Sequence, residues 1–265
     1  MENQENSFGR ISKLHLEASV KDRRTILSDV SFTAPYKVMH PFYEKKGIMS
    51  VTILAASAGI MAGDRQDLRI HVREGARMAL TSQSYEKIHR MEKGYASRKT
   101  SIRVEDGAAL FYTPLPTIPF QGSDYRSQLD AELSGDDSQF VLLEILTCGR
   151  AAHGERFLYR RFQNQVTVRQ AGKIIYRDNT LYQPEWMDMS GFGMYEGYTH
   201  LGNLALFNTS RSEAWINEAR RLLDETDGVE GGVTRTARGD VAVRALGGSA
   251  QRLSGLLEEM IGNCF

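Results

Sequence analysis

The sequence predicts a mainly-β fold with two helices near its C-terminus. Apolar residues alternate with polar ones in many segments, as at Leu14, Leu16 and Ala18, and this alternation is typical of strands with one buried face. Turn-forming pairs such as Asp106-Gly107 separate these segments, because glycine readily adopts the positive φ that tight turns need. Apolar residues at helical spacing are clearest in two stretches after residue 210.

The alternating segments recur along the chain and predict roughly a dozen strands. They lie near residues 14–20, 68–72, 78–80, 102–104, 129–133 and 166–168. Residues 141–146 are apolar almost without interruption, which predicts a strand that is buried on both faces.

Two segments that lie 32 residues apart share one pattern. Residues 70–78 and 102–110 each contain a predicted strand, an acidic-Gly-Ala turn and a second strand. Such a repeat indicates stacked coils or a β-solenoid. The alternative is a pair of similar but separate hairpins.

The two C-terminal stretches have the spacing of amphipathic helices. They cover residues 212–225 and 249–261, and Ser210 or Ser212 is a candidate N-cap for the first. Residues 82–91 can form a short helix or a turn.

The composition excludes several classes of protein. The 265 residues include 33 basic and 33 acidic side chains, so a strongly cationic nucleic-acid surface is not expected. Two cysteines, Cys148 and Cys264, are too few for a disulfide framework or a cysteine-rich zinc site. The N-terminus lacks the apolar core of a signal peptide, and the longest apolar stretch, residues 53–62, is about half a bilayer span. We therefore expect a cytoplasmic protein that binds neither nucleic acid nor a membrane.

The chain contains no proline- or serine-rich linker. We therefore expect a single domain over residues 1–265 in which roughly the first ten residues are flexible.

Two segments rich in glycine or polar residues follow predicted strands. Residues 57–64 (SAGIMAGD) contain two glycines and end at Asp64; they lack the spacing of a phosphate loop and also fit a tight connection between strands. Residues 80–90 (LTSQSYEKIHR) place a polar run directly after an apolar strand, so these side chains either line a wet cavity or cap a turn. The run includes Ser82, Gln83 and Ser84.

Residues 112–120 (YTPLPTIPF) hold three prolines within six residues. This predicts an extended segment near polyproline II and argues against a helix or a central strand. An apolar segment that cannot pair fully suits a partner surface, and the alternative is a buried, rigid crossover. The candidate interface residues are Pro114, Leu115, Pro116, Ile118, Pro119 and Phe120.

Residues 143–157 (LEILTCGRAAHGERF) hold the chain's best cluster of candidate metal ligands. The candidates are Glu144, Cys148, His153 and Glu155. A glutamate inside an apolar run needs a partner, water or a function to offset its burial. A dyad of Cys148 and His153 has no recognised geometry at this spacing. The alternative is that Arg150 and Arg156 neutralise the two glutamates. The chain has no sequence motif of a known catalytic site.

Four segments together resemble the UreD family of urease accessory proteins, whose members are called UreH in some operons. They are residues 57–64, 80–90, 110–120 and 144–157, in the order and at the distances of the family, and the resemblance runs from about residue 13 to residue 245. Many members have Pro, Gly and Glu where this chain has Ala58, Ile60 and Phe111. Phe111 removes one candidate acidic ligand.

The resemblance implies stacked sheets in a right-handed β-helix-like arrangement with two C-terminal helices. It also implies a scaffold and nickel-transfer chaperone, not an enzyme, that joins UreF and the GTPase UreG and docks on apo-urease. The implied complex holds two copies of each accessory protein. Nickel would then be in transit and weakly bound, which oxygen ligands suit better than a closed site of soft ligands.

The resemblance further implies which side chains meet the nickel. The candidate transient metal ligands are Asp64, Glu144, His153 and Glu155, and the candidate tunnel-lining residues are Ser82, Gln83 and Ser84. A competing hypothesis from another class is a metal-dependent hydrolase that uses the same four ligands.

Overall fold

The computed structural model describes residues 11–43, 47–209 and 213–262, which form 18 strands and two α-helices. The strands are β1 (Ile11–Lys21), β2 (Arg24–Phe32), β3 (Tyr36–Val38), β4 (Phe42–Tyr43), β5 (Met49–Ala55), β6 (Arg65–Val72), β7 (Arg77–Ser82), β8 (Glu86–Ile88), β9 (Ala96–Val104), β10 (Ala109–Tyr112), β11 (Thr117–Pro119), β12 (Asp124–Leu133), β13 (Gln139–Thr147), β14 (Arg161–Gln170), β15 (Lys173–Tyr182), β16 (His200–Phe207), β17 (Val229–Arg235) and β18 (Val241–Gly247). The helices are α1 (Glu213–Glu225) and α2 (Ala250–Gly262), and a short 3-10 helix spans Ala151–His153. The mainly-β prediction is confirmed.

The strands form two sheets. The first sheet has the order β15-β14-β12-β9-β6-β1-β2, and the second has the order β17-β18-β16-β13-β10-β7-β5-β3 with β4, β8 and β11 attached beside this path. From β5 to β14 the longer strands lie alternately in the second and the first sheet, and neighbours within each sheet are parallel. Each passage from one sheet to the other and back therefore adds one layer to a stack.

The two segments of the 32-residue echo lie directly against each other. Ile70 pairs with Ile102 in the first sheet, and Met78 pairs with Leu110 in the second. The strands of each segment belong to different sheets, so the alternative of two separate hairpins is wrong. The right-handed β-helix-like arrangement stays a prediction.

The facing sides of the sheets share one hydrophobic core. Leu16, Ile70 and Ile102 of the first sheet belong to the same buried cluster as Met78 and Leu110 of the second. Burying each side chain of this size contributes about 1.5–3 kcal/mol. The alternating pattern in the sequence therefore has a direct cause, because every second residue of these strands faces the opposite sheet.

The two helices cover the outer face of the second sheet. Trp215 and Leu223 of α1 and Leu253 and Met260 of α2 are buried there with side chains of β13, β16 and β18. Both helices lie within one residue of their predicted bounds. Two expectations fall outside the described ranges and stay predictions: the N-cap at Ser210 or Ser212 and the flexibility of the first ten residues. The single-domain expectation also stays a prediction.

Short strands extend the second sheet beside its main path. β8 and β11 pair in parallel, Thr117 also pairs with Leu146 of β13, and Ile60 forms a single bridge to Ile88. Of the two alternatives for residues 82–91, a short helix or a turn, the helix is wrong, because the chain bends at residues 83–84 and then enters β8. No helix in the described ranges is long and apolar enough to span a bilayer.

The prediction that residues 112–120 avoid a central strand is also wrong. β11 lies between β8 and β13 although it ends at Pro119. The prolines do not block pairing, because the bonds that join this segment to β8 use groups that prolines leave available. The carbonyl oxygen of Pro116 accepts a bond from the Glu86 amide at 2.9 Å, and the Phe120 amide donates to the Ile88 carbonyl oxygen at 2.9 Å.

Candidate functional site

Two adjacent cavities lie between the sheets, and residues 57–60 and 82–87 contribute to the lining of the first. Their volumes are about 110 Å³ and about 60 Å³. Because a water molecule needs roughly 10–15 Å³ of such space, each cavity has room for several waters. The residues that line both cavities, and so form their shared wall, are Glu86, Arg98, Tyr112, Pro114 and Leu115.

An ion pair occupies the shared wall. The Arg98 guanidinium donates two hydrogen bonds to the Glu86 carboxylate, one of them from Nη1 to Oε2 at 2.5 Å, and its Nε donates to Gln66 Oε1 at 2.8 Å. Burial alone lowers the pKa of Arg98, but the attraction of Glu86 holds it above its ordinary value. Arg98 therefore keeps its positive charge between the two cavities.

Tyrosine hydroxyls surround this ion pair. Tyr36 lines the first cavity, Tyr125 the second and Tyr112 both. The Tyr125 hydroxyl is buried and makes no hydrogen bond to the described residues. Burial raises the pKa of Tyr112 to about 12, so this hydroxyl is a neutral donor and acceptor at physiological pH. The wall is therefore polar although it lies inside a sandwich of two sheets.

Glu144 points from β13 into the second cavity. Its carboxylate oxygens accept hydrogen bonds from Asn164 Nδ2 at 3.2 and 3.1 Å. Burial raises the pKa of Glu144 to about 7, and the nearby negative charge of Asp178 adds to this rise. The alternative that Arg150 or Arg156 neutralises Glu144 is wrong, since its partner is a neutral amide. Glu144 is therefore an acid that can gain or lose a proton near neutral pH inside a cavity with room for water.

The polar run after β7 borders the first cavity. Ser82, Gln83 and Ser84 all line it, and Gln83 and Ser84 are also exposed to solvent. Ser82 Oγ accepts a hydrogen bond from the Leu115 amide at 2.9 Å. Ser82 therefore satisfies a backbone group, and the run lines a cavity. That Ser82, Gln83 and Ser84 line a tunnel stays a prediction.

Asp64 lies in neither cavity lining. Its Oδ2 accepts a hydrogen bond from the Met61 amide at 2.8 Å and its own amide donates to the Met61 carbonyl oxygen at 3.1 Å. Asp64 therefore closes a tight turn, which is the structural alternative for residues 57–64.

Glu155 and His153 lie in the segment after β13, with His153 at the end of the short 3-10 helix. Glu155 is buried and accepts a hydrogen bond from Arg150 Nε at 2.8 Å as part of a bidentate ion pair, which lowers the pKa of Glu155. The arginine alternative is thus confirmed for this glutamate. His153 is exposed whereas Cys148 is fully buried, and no hydrogen bond joins them.

The four candidate ligands do not form one metal centre. Asp64 lies in a turn, Glu144 in the second cavity, and Glu155 and His153 on another loop. In the described ranges, no three side chains of His, Cys, Asp or Glu converge on a common point. The hydrolase hypothesis therefore has no catalytic metal site in this part of the chain.

A surface groove of about 510 Å³ contains part of the candidate interface. Its lining residues are Tyr85, Lys87, Ile118, Phe120, Thr147, Gly149, Arg150, Ala151, Ala152, His153 and His200. Of the predicted interface residues, Ile118 and Phe120 face this groove, Pro114 and Leu115 line the inner cavities, and Pro116 and Pro119 are buried. A partner can therefore reach only one part of the proline segment.

Sequence reasoning missed the ion pair in the shared wall. Arg98 is in phase with Thr100 and Ile102, which both point into the core. That phase was a usable signal for an inward arginine. Glu86 offered no such signal, because the segment that contains β8 has no alternating pattern long enough to assign.

Comparison with known proteins gives one consistent family. A family model described as "UreD urease accessory protein" matches residues 10–263. The chain is 37% identical over 254 residues to the urease accessory protein UreD of Acetivibrio thermocellus, which covers 96% of this chain and 97% of the relative. It is 36% identical over 256 residues to the urease accessory protein UreH of Helicobacter pylori strain P12, covering 96% and 95%. UreD of Flavobacterium johnsoniae is 30% identical over 246 residues, with 92% and 88% covered.

These matches extend over nearly the whole chain, including both cavities and both helices. The chain therefore belongs to the UreD family of urease accessory proteins.

Proposed function

We propose that this chain is a non-catalytic urease maturation factor that carries nickel through its two inner cavities. It works in the cytoplasm as a scaffold that joins UreF and the GTPase UreG and docks on apo-urease. The observation that supports transfer is the pair of adjacent cavities that share a wall with charged and polar side chains. The exposed residues Gln83 and Ser84 line the first cavity, and Glu144 lines the second.

The chemistry of the linings suits a cation in transit. Oxygen ligands such as the Glu144 carboxylate and Asn164 carbonyl hold nickel less tightly than a closed set of His and Cys ligands would. With a pKa of about 7, Glu144 can bind nickel as a carboxylate and be reprotonated when the ion leaves. A site of this kind favours entry without becoming a trap.

The groove beside β11 is the surface that we assign to UreF. Its lining combines the apolar side chains of Ile118 and Phe120 with the polar side chains of Lys87, Arg150 and His153. Protein interfaces commonly combine apolar and polar side chains in this way. By resemblance to the family, the complex contains two copies of each accessory protein.

We also propose that the coils of the stack are right-handed. Each link from one parallel strand to its neighbour passes through the opposite sheet, as β5 reaches β7 through β6. Connections between parallel strands of one sheet are right-handed in about 98% of cases.

The proposed role is tested in cells that produce urease from its full set of genes. Deleting this chain should leave urease assembled but inactive and poor in nickel. Returning the wild-type chain should restore both activity and nickel content. Full urease activity without this chain, at low nickel concentration, would contradict the proposal.

The groove assignment predicts that Ile118→Glu disrupts binding to UreF. The charged side chain should weaken binding at least tenfold, because apolar anchors at the centre of an interface often contribute 2 kcal/mol or more. Co-elution of the two proteins in size-exclusion chromatography measures the effect. Phe192→Ser is the matched control, since Phe192 is 98% exposed and lies outside the groove. If Phe192→Ser loses UreF binding and Ile118→Glu keeps it, the UreF contact lies on another surface.

The nickel path predicts that Cys148→Ala leaves nickel binding by the chain unchanged within about twofold. Burial raises the pKa of the Cys148 thiol, so the thiolate that metals need is scarce at neutral pH. Titration of the purified chain with nickel chloride, followed calorimetrically, measures this. Tight stoichiometric binding that disappears in Cys148→Ala would show that the path depends on sulfur instead of oxygen.

A further inference from the structure

The Arg98 guanidinium occupies a site made of three oxygen atoms. Gln66 Oε1 accepts from its Nε at 2.8 Å, Glu86 Oε2 accepts from Nη1 at 2.5 Å, and Glu86 Oε1 accepts from Nη2. A carboxylate and an amide carbonyl are ligands that also suit a divalent cation. The side chain of Arg98 thus takes the place that a metal ion would take in this cluster.

The location of this cluster gives it a consequence for transport. Glu86 and Arg98 belong to the linings of both cavities, whereas Gln66 belongs to the first. Tyr125 is 3% exposed and lines the second cavity only, and its buried hydroxyl makes no hydrogen bond to the described residues. Arg98 therefore places a positive charge between the two cavities.

We propose that Gln66 and Glu86 form a transient divalent-cation site whose resting occupant is the Arg98 guanidinium. This inference rests on the proposed passage of nickel through the cavities and names the gate on that path. The arriving ion exchanges with the guanidinium at the Glu86 carboxylate, and the guanidinium moves into one of the two adjoining cavities. The charge of Arg98 then repels the ion, so that the ion leaves instead of staying bound.

The proposal predicts that Arg98→Met uncovers a nickel site. Methionine keeps much of the length of the side chain but removes its charge and its donors, so Glu86 and Gln66 become free to bind an ion. Calorimetric titration of the full chain with nickel chloride should show at least tenfold tighter binding than in the wild type. The double variant Arg98→Met/Glu86→Gln keeps the same cavity shape without the carboxylate and should lose this gain.

Two results would overturn the gate. One is a folded Arg98→Met chain that binds nickel no more tightly than the wild type. The other is a double variant that binds as tightly as Arg98→Met, because the added site would then not involve Glu86. If Arg98→Met does not fold, as judged by circular dichroism, Arg98→Lys is used. Its ammonium can satisfy fewer of the three oxygens, so nickel affinity should rise at least threefold, and unchanged affinity would reject the gate.

A measurement in urease-producing cells separates the gate from the proposed function. Arg98→Met should raise the nickel content of the chain purified with its partners and lower urease activity, because the ion is retained. A tighter nickel site with normal urease activity would overturn the gate, since the site would lie off the path. If Arg98→Met gains no nickel while an obstruction elsewhere in the cavities still lowers urease activity, the gate fails and the transfer function stands.

Discussion

Replacement of Gly59 by alanine should strongly destabilise the folded protein. Gly59 has φ +147°, and an added Cβ would lie 2.4 Å from the carbonyl oxygen of Lys87. That oxygen cannot retreat easily, because it accepts a hydrogen bond from the Ile60 amide at 2.8 Å and Lys87 is held in β8 by its pairing with β11. The backbone strain and the overlap together should cost about 3–5 kcal/mol, which is a large part of the stability of an ordinary domain.

Gly63→Ala is the matched control for this variant. Gly63 also has a positive φ, at +84°, but an added Cβ would meet nothing within 4 Å. This change should therefore cost only the strain of the backbone conformation, about 1–2 kcal/mol. Urea unfolding measures the free energy of unfolding of both variants. The soluble yield of each variant when it is co-expressed with UreF is a second measure of the difference in stability. Equal stability of the two variants would mean that the close approach at Gly59 does not constrain the chain.

The sequence predicts the strands and helices of this fold well because the patterns that specify them are local. Alternation sets which side chains of β6 and β9 point inward, and the 32-residue echo corresponds to strands that pair residue by residue, as Ile70 does with Ile102. The helices are equally readable, since their apolar stripes lie against the outer face of the second sheet. The period of the apolar pattern and the turn-forming residues are enough to predict these strands and helices.

The candidate site is less predictable because its contacts cross between distant strands. Asn164 is in phase with the buried Val166 and Val168, so its inward position follows from alternation. Its hydrogen bonds to Glu144 join different sheets, and no periodicity specifies the register of one sheet over the other. The same limit hides the pairing of Arg98 with Glu86. The prolines led to a wrong prediction for β11. Its pairing with β8 uses the carbonyl oxygen of Pro116 and the amide of Phe120, which the prolines do not remove.

Glu144→Leu should lower urease activation at least tenfold while the accessory complex still forms. Leucine makes the lining of the second cavity more apolar beside Asn164, removes the carboxylate that we propose binds nickel, and makes dehydration of the ion costlier. The chain should still fold, because the partner of Glu144 is an amide and no buried arginine loses its counter-ion. The Asn164 amide loses an acceptor at a cost of about 1–3 kcal/mol, while burial of an acid whose pKa is raised to about 7 is relieved.

Two further variants give this experiment its contrast. Glu144→Gln keeps an oxygen ligand and the shape of the side chain, so its activation should lie between wild type and Glu144→Leu. Thr180 lines the same cavity, and Thr180→Val exchanges a hydroxyl for a methyl group of similar size. Urease activation by this variant should therefore remain near normal. Urease activity, nickel content and yield of the complex with UreF and UreG are measured in the same cells. Full activation by Glu144→Leu, with a normal yield of complex, would remove the second cavity from the nickel path. An equal loss in Thr180→Val would indicate that the cavity is sensitive to any change and that the carboxylate has no special part.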